Sequence, residues 1–266
     1  TGAHADGVHI IQGGAGFAQR VLEHREERGT PSLHDLADGR GSDRPAIPQC
    51  HHRVARRAVG GAAHRGGRAV AHEVLDFGLH LRPNELKRVL QEKIDEASQN
   101  AEVLLLGYGL CSMAVVGLQA RTAHLVIPRV DDCIAIFLGS CAAYQAQAKK
   151  EPGTYYITKG WIEVGDTPFE EHKLLVEKYG EEKARRMTGL MLKNYTRLAF
   201  INTGQYEIEH FREYAQTTAA QFSLRFEEIA GSPALVEKMV RGPWDGEFVV
   251  IEPGQTVKYT DFVSQR

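Results

Sequence analysis

The sequence predicts an α/β protein that is doubly wound, with a mostly parallel sheet and helices on both faces. Short, continuous apolar runs are typical of strands whose two faces are both covered. Between these runs lie segments with apolar residues at helical spacing, and glycines or carboxylates follow several of the runs. Strands that alternate with helices in this way indicate a largely parallel sheet.

The first half of this pattern lies between residues 74 and 149. We predict strands at residues 74–77, 103–106 and 125–130, and helices at residues 83–98 and 134–149. The first helix has apolar residues at helical spacing, and the strand at 103–106 is entirely apolar. Asp131 and Asp132 precede the second helix, where carboxylates can cap orphan amides.

The second half of the pattern continues to residue 251. We predict strands at residues 155–162, 198–202, 224–229 and 248–251. We predict helices at residues 206–222 and 233–240, and either two helices or one kinked helix over 169–194. Gly180 marks the position of the kink or break.

The first 73 residues have a different composition from the rest of the 266-residue chain. They contain no Lys, Tyr, Trp or Met, yet they hold 8 of the 12 His and 10 of the 21 Arg. Such aromatic-poor composition leaves little to bury. We therefore expect residues 1–73 to be an atypical N-terminal segment, either poorly ordered or read in a shifted frame, and residues 74–266 to form the α/β domain.

Two motifs in this segment resemble ligand sites, and we disfavour both. Residues 8–11 followed by Gly13, Gly14 and Gly16 have the layout of a strand and a dinucleotide-binding turn, but the third glycine of that motif is missing. Residues 50–52 read Cys-His-His, and three adjacent ligands rarely share one tetrahedral zinc ion.

The chemistry is expected where the strands end. In an open parallel sheet, ligands bind outside the carboxyl ends of the strands. The segments at the ends of the predicted strands up to residue 202 contain glycines, carboxylates, thiols, an amide and an aromatic ring. The candidate ligand-binding and catalytic residues at this edge are Gly107, Tyr108, Gly109, Cys111, Asp131, Asp132, Cys133, Trp161, Glu163 and Asn202.

Cys111 and Cys133 are the central candidates. Each lies a few residues beyond a predicted strand and near a helix N-terminus, which favours the thiolate. A thiolate either attacks carbon or binds a soft metal ion, and both alternatives stay open. Cys141 follows Cys133 by eight residues, a rise of about 12 Å on a straight helix, so we expect it to pack in the core.

Either alternative needs a further group. A structural zinc ion needs four ligands, so two cysteines do not complete a site. Asp131, Asp132, Glu163 or His124 are possible additional ligands. In the alternative with a nucleophilic cysteine, His80 or His124 is the nearest candidate base in the sequence, and Glu163 is a candidate catalytic carboxylate.

The same residues carry a resemblance to a known family. Over residues 74–262 the chain resembles the uncharacterised prokaryotic family "domain of unknown function sixteen thirty-eight". The matching motifs lie at residues 75–83, 105–111, 127–129, 132–133, 138–140, 152–156 and 160–163. The resemblance implies an intracellular protein of methanogenic archaea and bacteria, often encoded near corrinoid-dependent methyltransferases and one-carbon enzymes.

The resemblance also implies a metal site, from which this chain departs. Family members usually begin with a strand that ends in Cys-Gly, and that third cysteine with the two others suits zinc or an iron–sulfur cluster. We find no such strand in residues 1–73, so the chain supplies Cys111 and Cys133 only. Asp131 stands where the family often has His.

These observations define the expected function. We expect a cysteine-based site, either metal-binding or a reactive thiolate, linked to one-carbon and corrinoid methyl transfer. A metal-free cysteine-dependent enzyme and a non-catalytic partner of a corrinoid methyltransferase are the alternatives. The expected partner is a small molecule or a corrinoid or methyltransferase protein.

Charge and cysteine content exclude other classes. The formal net charge of −2 does not favour nucleic acid. No apolar run approaches the length of a membrane span. Four cysteines without regular spacing do not indicate a disulfide scaffold, so we expect a cytoplasmic protein.

Overall fold

The computed structural model describes residues 8–13, 70–110, 113–165, 167–204 and 206–263. The strands within these ranges are β1 (Val8–Gly13), β2 (Val70–Leu75), β3 (Val103–Gly107), β4 (His124–Pro128), β5 (Thr154–Ile157), β6 (Arg197–Asn202), β7 (Arg225–Ala230) and β8 (Phe248–Ile251).

The helices of the described residues are numbered in chain order, and one further element is a 3₁₀ helix at Phe77–Leu81. The α-helices are α1 (Pro83–Ala97), α2 (Ile134–Leu138), α3 (Cys141–Lys150), α4 (Lys159–Val164), α5 (Pro168–Tyr179), α6 (Glu181–Leu192), α7 (Glu209–Gln221), α8 (Ala234–Arg241) and α9 (Thr260–Val263). None of them is long and apolar enough to cross a membrane.

The strands form two sheets. The larger sheet has five strands in the order β2-β1-β3-β4-β8, of which the first four are parallel and β8 is antiparallel. The smaller sheet has three parallel strands in the order β5-β6-β7. The predicted α/β class with mostly parallel strands and interleaved helices is therefore confirmed, with the strands divided between two sheets.

Apolar layers cover both faces of the larger sheet. Leu104 and Leu106 of β3 point into one core cluster, which also contains Leu90 of α1 and Phe262 of α9. Leu105, between them in sequence, lies in a second cluster with Met239 of α8 and residues of α2. Because successive side chains of a strand alternate between faces, this continuous apolar run requires helices on both sides.

The N-terminal segment contributes an interior strand of this sheet. β1 pairs in parallel with β2 on one side and with β3 on the other, and Ile10 and Ile11 are completely buried. Residues 8–13 thus form a strand of the larger sheet, which the expectation of an atypical N-terminal segment did not include. The glycine turn after Gly13 and the Cys-His-His motif at 50–52 lie outside the described residues.

The segments that leave the carboxyl ends of the two sheets contact one another. After β7, the Ser232 amide donates to the Phe137 carbonyl of α2 at 2.9 Å. The Gly231 amide donates to the Asn202 carbonyl at the end of β6 at 2.7 Å. In addition, α4 packs against the 3₁₀ helix that follows β2. The edge at which we expected chemistry is therefore shared by both sheets.

Candidate functional site

The loops after β3 and β4 are pressed together at the edge of the larger sheet. The Leu110 amide donates to the Val130 carbonyl at 2.9 Å. A Cβ atom at Gly109 would lie 2.8 Å from Val130 Cγ2 and 2.9 Å from the Val130 carbonyl oxygen. Only a glycine fits there, so the sequence prediction that these two loops lie side by side is confirmed.

Gly107 has a similar role one strand further along the sheet. A Cβ atom at Gly107 would lie 2.9 Å from Cβ of Gln12, the buried penultimate residue of β1. Gln12 therefore belongs to the same edge, although its position in the atypical segment concealed it. Tyr108, between the two glycines, is buried in the first core cluster.

The Asp131-Asp132-Cys133 turn follows β4 at this edge. An Asp132 carboxylate oxygen accepts the Ile134 amide hydrogen at 2.6 Å, which confirms that an aspartate caps the start of α2. Burial raises the pKa of Asp132, and the charge of exposed Asp131 raises it further, although the Ile134 hydrogen bond opposes the shift. Cys133 is half-buried, is the N-cap residue of α2 and packs against the second core cluster.

The helix predicted over 134–149 is two helices. α2 ends at Gly139, which has a φ of 85° and whose Cβ position would be 2.6 Å from Cβ of Ser232. The Ser140 hydroxyl then accepts the Ala143 amide hydrogen and starts α3. The straight-helix premise for Cys133 and Cys141 was therefore wrong, because the helix breaks at Gly139. The expected packing of Cys141 is confirmed, since it lies against the second core cluster.

Two tyrosines from the smaller sheet's side face this turn. Tyr144 of α3 and Tyr156 of β5 have ring centroids 6.0 Å apart, and Tyr144 packs beside Cys133 in the second core cluster. Burial raises the pKa of Tyr144, and the neighbouring Asp132, Tyr156 and Asp131 side chains add to the shift. Sequence reasoning missed this pair because its members come from separate elements.

Trp161 and Glu163 are not positioned as we expected. The strand predicted over 155–162 ends at Ile157, and both residues lie in helix α4, which ends at Gly165 with a φ of 70°. The Trp161 ring lies 5.5 Å from His80 of the 3₁₀ helix and 6.1 Å from Phe137 of α2. Trp161, which follows a strand of the smaller sheet, therefore contacts two segments that follow strands of the larger sheet. The Glu163 carboxylate pairs with Lys159 at 3.2 Å.

Asn202 closes the edge of the smaller sheet. Its side-chain amide donates to Glu228 at 2.8 Å, and its side-chain oxygen accepts the Gly204 amide hydrogen at 2.8 Å. These bonds give Asn202 a structural role in the turn after β6.

His124 and Arg129 have structural roles at the ends of β4. His124 lies 2.9 Å from the Glu252 carboxylate, at the start of β4 and away from its carboxyl end. Arg129 donates to the carbonyls of Gly246, Phe248 and Asp261, so it ties the C-terminal segment to the sheet. The pKa of Arg129 is lowered by burial.

The implied metal site requires several ligands close together. They contain no group of three or more His, Cys, Asp or Glu side chains that could hold a metal ion. Cys111 lies outside the described residues. The described part of the edge offers one sulfur ligand, Cys133, and does not by itself form a zinc or iron–sulfur ligand set.

Comparison with known proteins identifies the family. The family described as "Protein of unknown function (DUF1638)" matches residues 74–240, which is more than half of the chain. The chain therefore belongs to this family, and the resemblance found in the sequence is confirmed. No curated protein and no solved structure gave a match.

Proposed function

We propose that this member of the DUF1638 family has a cysteine-based site at the carboxyl edge of the larger sheet and acts in one-carbon and corrinoid methyl transfer in the cytoplasm. The central group is Cys133, with Cys111 as the second sulfur. The observation that carries the proposal is the half-buried Asp132-Cys133 turn, held against Gly109 at the ends of two parallel strands.

The surroundings of Cys133 support a chemical role. Gly107 and Gly109 pack tightly against Gln12 and Val130, which holds the loop after β3 beside the Asp132-Cys133 turn. Asp132 is an adjacent carboxyl group whose pKa is raised by burial, so it can hold and release a proton closer to neutral pH than an ordinary aspartate. The Cys133 thiolate can attack the carbon of an alkyl or acyl group on a bound ligand, so that an S–C bond forms while the bond from that carbon to its leaving group breaks, and the Asp132 carboxyl group can protonate the departing group.

A metal-bound form of the site needs more than the described residues. It requires Cys111 and at least one further ligand, since no set of three is present in the described ranges. Zinc in such a site would act as a Lewis acid and activate a thiol or alcohol acceptor.

The half-buried Cys133 thiol beside the Asp132 carboxyl group favours a second candidate, a metal-free reactive thiolate. In this form Cys133 itself is the nucleophile, and chelators have no effect on its reactivity. A non-catalytic role as a partner of a corrinoid or methyltransferase protein would instead leave the interaction intact when both cysteines are serine.

Metal analysis and alkylation distinguish these forms. Anaerobically purified full-length protein should contain bound metal that is lost in Cys111→Ser and in Cys133→Ser, or else one cysteine should react rapidly and stoichiometrically with iodoacetamide near neutral pH. Cys141→Ser is the matched control, because Cys141 also packs beside the second core cluster. A protein without metal and without a fast cysteine would overturn the proposal.

A further inference from the structure

Helices α5 and α6 form a hairpin that covers one face of the smaller sheet. The two helices are joined at Gly180, and the His172 ring nitrogen of α5 lies 2.9 Å from the Thr188 hydroxyl of α6. Phe169 and Leu192 pack in the same core cluster as residues of β5 and β6. The hairpin thus has an inner side against the sheet and an outer side of exposed residues.

The outer side carries exposed apolar side chains. Leu190 is 71% exposed and Leu174 is 65% exposed, the highest values among the large apolar side chains of the described residues. Each leucine lies two residues beyond the His172–Thr188 contact on its own helix, so both lie near the middle of the hairpin. Other exposed apolar side chains of the hairpin and the turn after it are Tyr179, Met191 and Tyr195. Exposed apolar residues that cluster in this way mark an interaction surface.

The charges of α6 are arranged so that the helix is complementary to a second copy of itself. Glu182, Arg186 and Leu190 are spaced by four residues, so they share one face of the helix, and Lys193 follows its last residue. Glu182, Arg186 and Lys193 form no ion pair within the described ranges. Two antiparallel copies of α6 bring the acidic beginning of each helix beside the basic end of the other, and opposed helix dipoles favour the same arrangement.

The overall charge of the hairpin does not favour a membrane. Residues 168–195 contain five acidic and six basic residues, a net charge of +1. An anionic membrane attracts surfaces on which basic residues predominate. A nearly neutral surface with opposite signs at the two ends of α6 instead fits a two-fold symmetric contact, in which the same patch on both copies must be self-complementary.

We propose that the outer side of the α5–α6 hairpin is a homodimer interface, in which α6 packs antiparallel against α6 of a second copy. Around a two-fold axis near the middle of α6, Lys193 of one copy pairs with Glu182 of the other. Leu190 packs against the aliphatic stem of Arg186 in the other copy. Symmetry makes each contact occur twice, so one substitution in the chain removes two contacts from the dimer.

This interface lies on the opposite face of the smaller sheet from the tyrosines near Cys133. Phe200 of β6 belongs to the core cluster of the hairpin, whereas Ala199 belongs to the cluster that contains Tyr144 and Tyr156. Successive residues of a strand point to opposite faces, so dimerisation through the hairpin leaves the Cys133 edge uncovered. The dimer proposal therefore does not rest on the proposed cysteine chemistry.

Sedimentation velocity of the full-length protein tests the interface. Between about 1 and 100 μM, the 29.5 kDa chain should convert to a species of twice that mass. Leu190→Ser should raise the dimer Kd by about tenfold or more, because each dimer loses two buried leucines. Leu81→Ser is the matched control, since it removes an exposed leucine outside the hairpin and should leave the Kd unchanged.

Charge reversal tests the antiparallel arrangement. Glu182→Lys places two lysines at each end of the contact, and Lys193→Glu places two glutamates there. Each variant alone should therefore dimerise about threefold or more weakly than wild type. An equimolar mixture of the two variants should form a heterodimer with nearly the wild-type Kd, because each contact then joins opposite charges again.

Thermal unfolding followed by circular dichroism checks that every variant is folded, and Cys133→Ser should dimerise normally. The proposal is overturned by a wild-type protein that stays monomeric at 100 μM, by an unchanged Kd in Leu190→Ser, or by equal weakening in Leu81→Ser. A mixture of charge variants that associates no more tightly than its components also overturns it. Binding of monomeric protein to phosphatidylserine vesicles that is lost in Leu190→Ser would assign the surface to a membrane instead.

Discussion

The two sheets are stabilised by different means. The larger sheet lies between two apolar layers, and the central residues of β3 and β4 are completely buried. The smaller sheet has apolar layers as well, but Arg197, the first residue of β6, is also completely buried. The difference indicates that apolar packing is the main source of stability in the larger sheet. The smaller sheet also depends on hydrogen-bond and ion-pair partners for a buried charge.

Arg197 is satisfied by three neighbours. It donates to the Thr154 hydroxyl at 2.8 Å, to the Glu227 carboxylate at 2.9 Å and to the Gln147 side-chain oxygen at 3.2 Å. These partners come from β5, β7 and α3, so the guanidinium links every strand of the smaller sheet to a covering helix. Arg225 also binds Glu227, but its side chain is half exposed.

Removal of the buried Arg197 charge should cause the largest loss in the free energy of unfolding. Arg197→Ala leaves the Thr154, Gln147 and Glu227 side chains without their common donor and opens a cavity. We expect a loss of about 3 kcal/mol in the free energy of unfolding, measured by urea denaturation. Arg225→Ala, the exposed partner of the same glutamate, should cost no more than about 1 kcal/mol. Equal losses in both variants would contradict the account.

The larger sheet should be most sensitive to added volume at its edge. Gly109→Ala places a Cβ atom against the Val130 carbonyl oxygen, so we expect a loss of about 1–3 kcal/mol in stability. Gly189→Ala in α6 has no atom within 4 Å of the new Cβ and should instead stabilise the protein by about 0.5–1 kcal/mol. Urea denaturation of both variants tests this, and a Gly109→Ala protein as stable as wild type would refute the close contact.

Low pH should reduce the stability of the smaller sheet by less than the preceding substitutions reduce stability. Hydrogen bonds from Arg225 and Arg197 lower the pKa of Glu227 to about 2, from 4.5 in an unfolded chain. Because the folded pKa is depressed, this glutamate stabilises the protein above pH 4.5, and the contribution is lost as the pH falls towards 2.

Glu227→Gln should therefore reduce the loss of stability between pH 5 and pH 2.5. Urea denaturation across this range measures the slope. Glu213→Gln, an exposed substitution on α7, controls for the loss of one negative charge. An unchanged slope in Glu227→Gln would show that the ion network does not contribute to acid sensitivity.

The sequence predicted most elements of both sheets. The helix at Pro83–Ala97 follows from apolar spacing, since Leu86, Leu90 and Ile94 are all buried. The strand at Val103–Gly107 follows from its continuous apolar run, and the contact of Gly109 with the loop after β4 follows from the parallel order.

Other features depend on contacts between distant segments. The aromatic run at 155–162 is typical of a strand, but Thr158 starts a helix and Trp161 packs between the two sheets. The break at Gly139 has a local signal, a glycine with a φ of 85° followed by the Ser140 cap, and Ser232 leaves no room there for a side chain. The Tyr144–Tyr156 pair is brought together by tertiary folding, for which the local sequence has no signal.

The most direct test of the central claim compares Cys133 with Cys141. Both are half-buried and pack beside the same core cluster, so differences between them report function rather than burial. We would measure bound metal and the rate of iodoacetamide modification at each cysteine by mass spectrometry, in native protein with and without chelator. We predict that Cys133 is either protected until metal is removed or modified much faster than Cys141. A Cys133 that reacts at the rate of Cys141, in protein without metal, would contradict the claim.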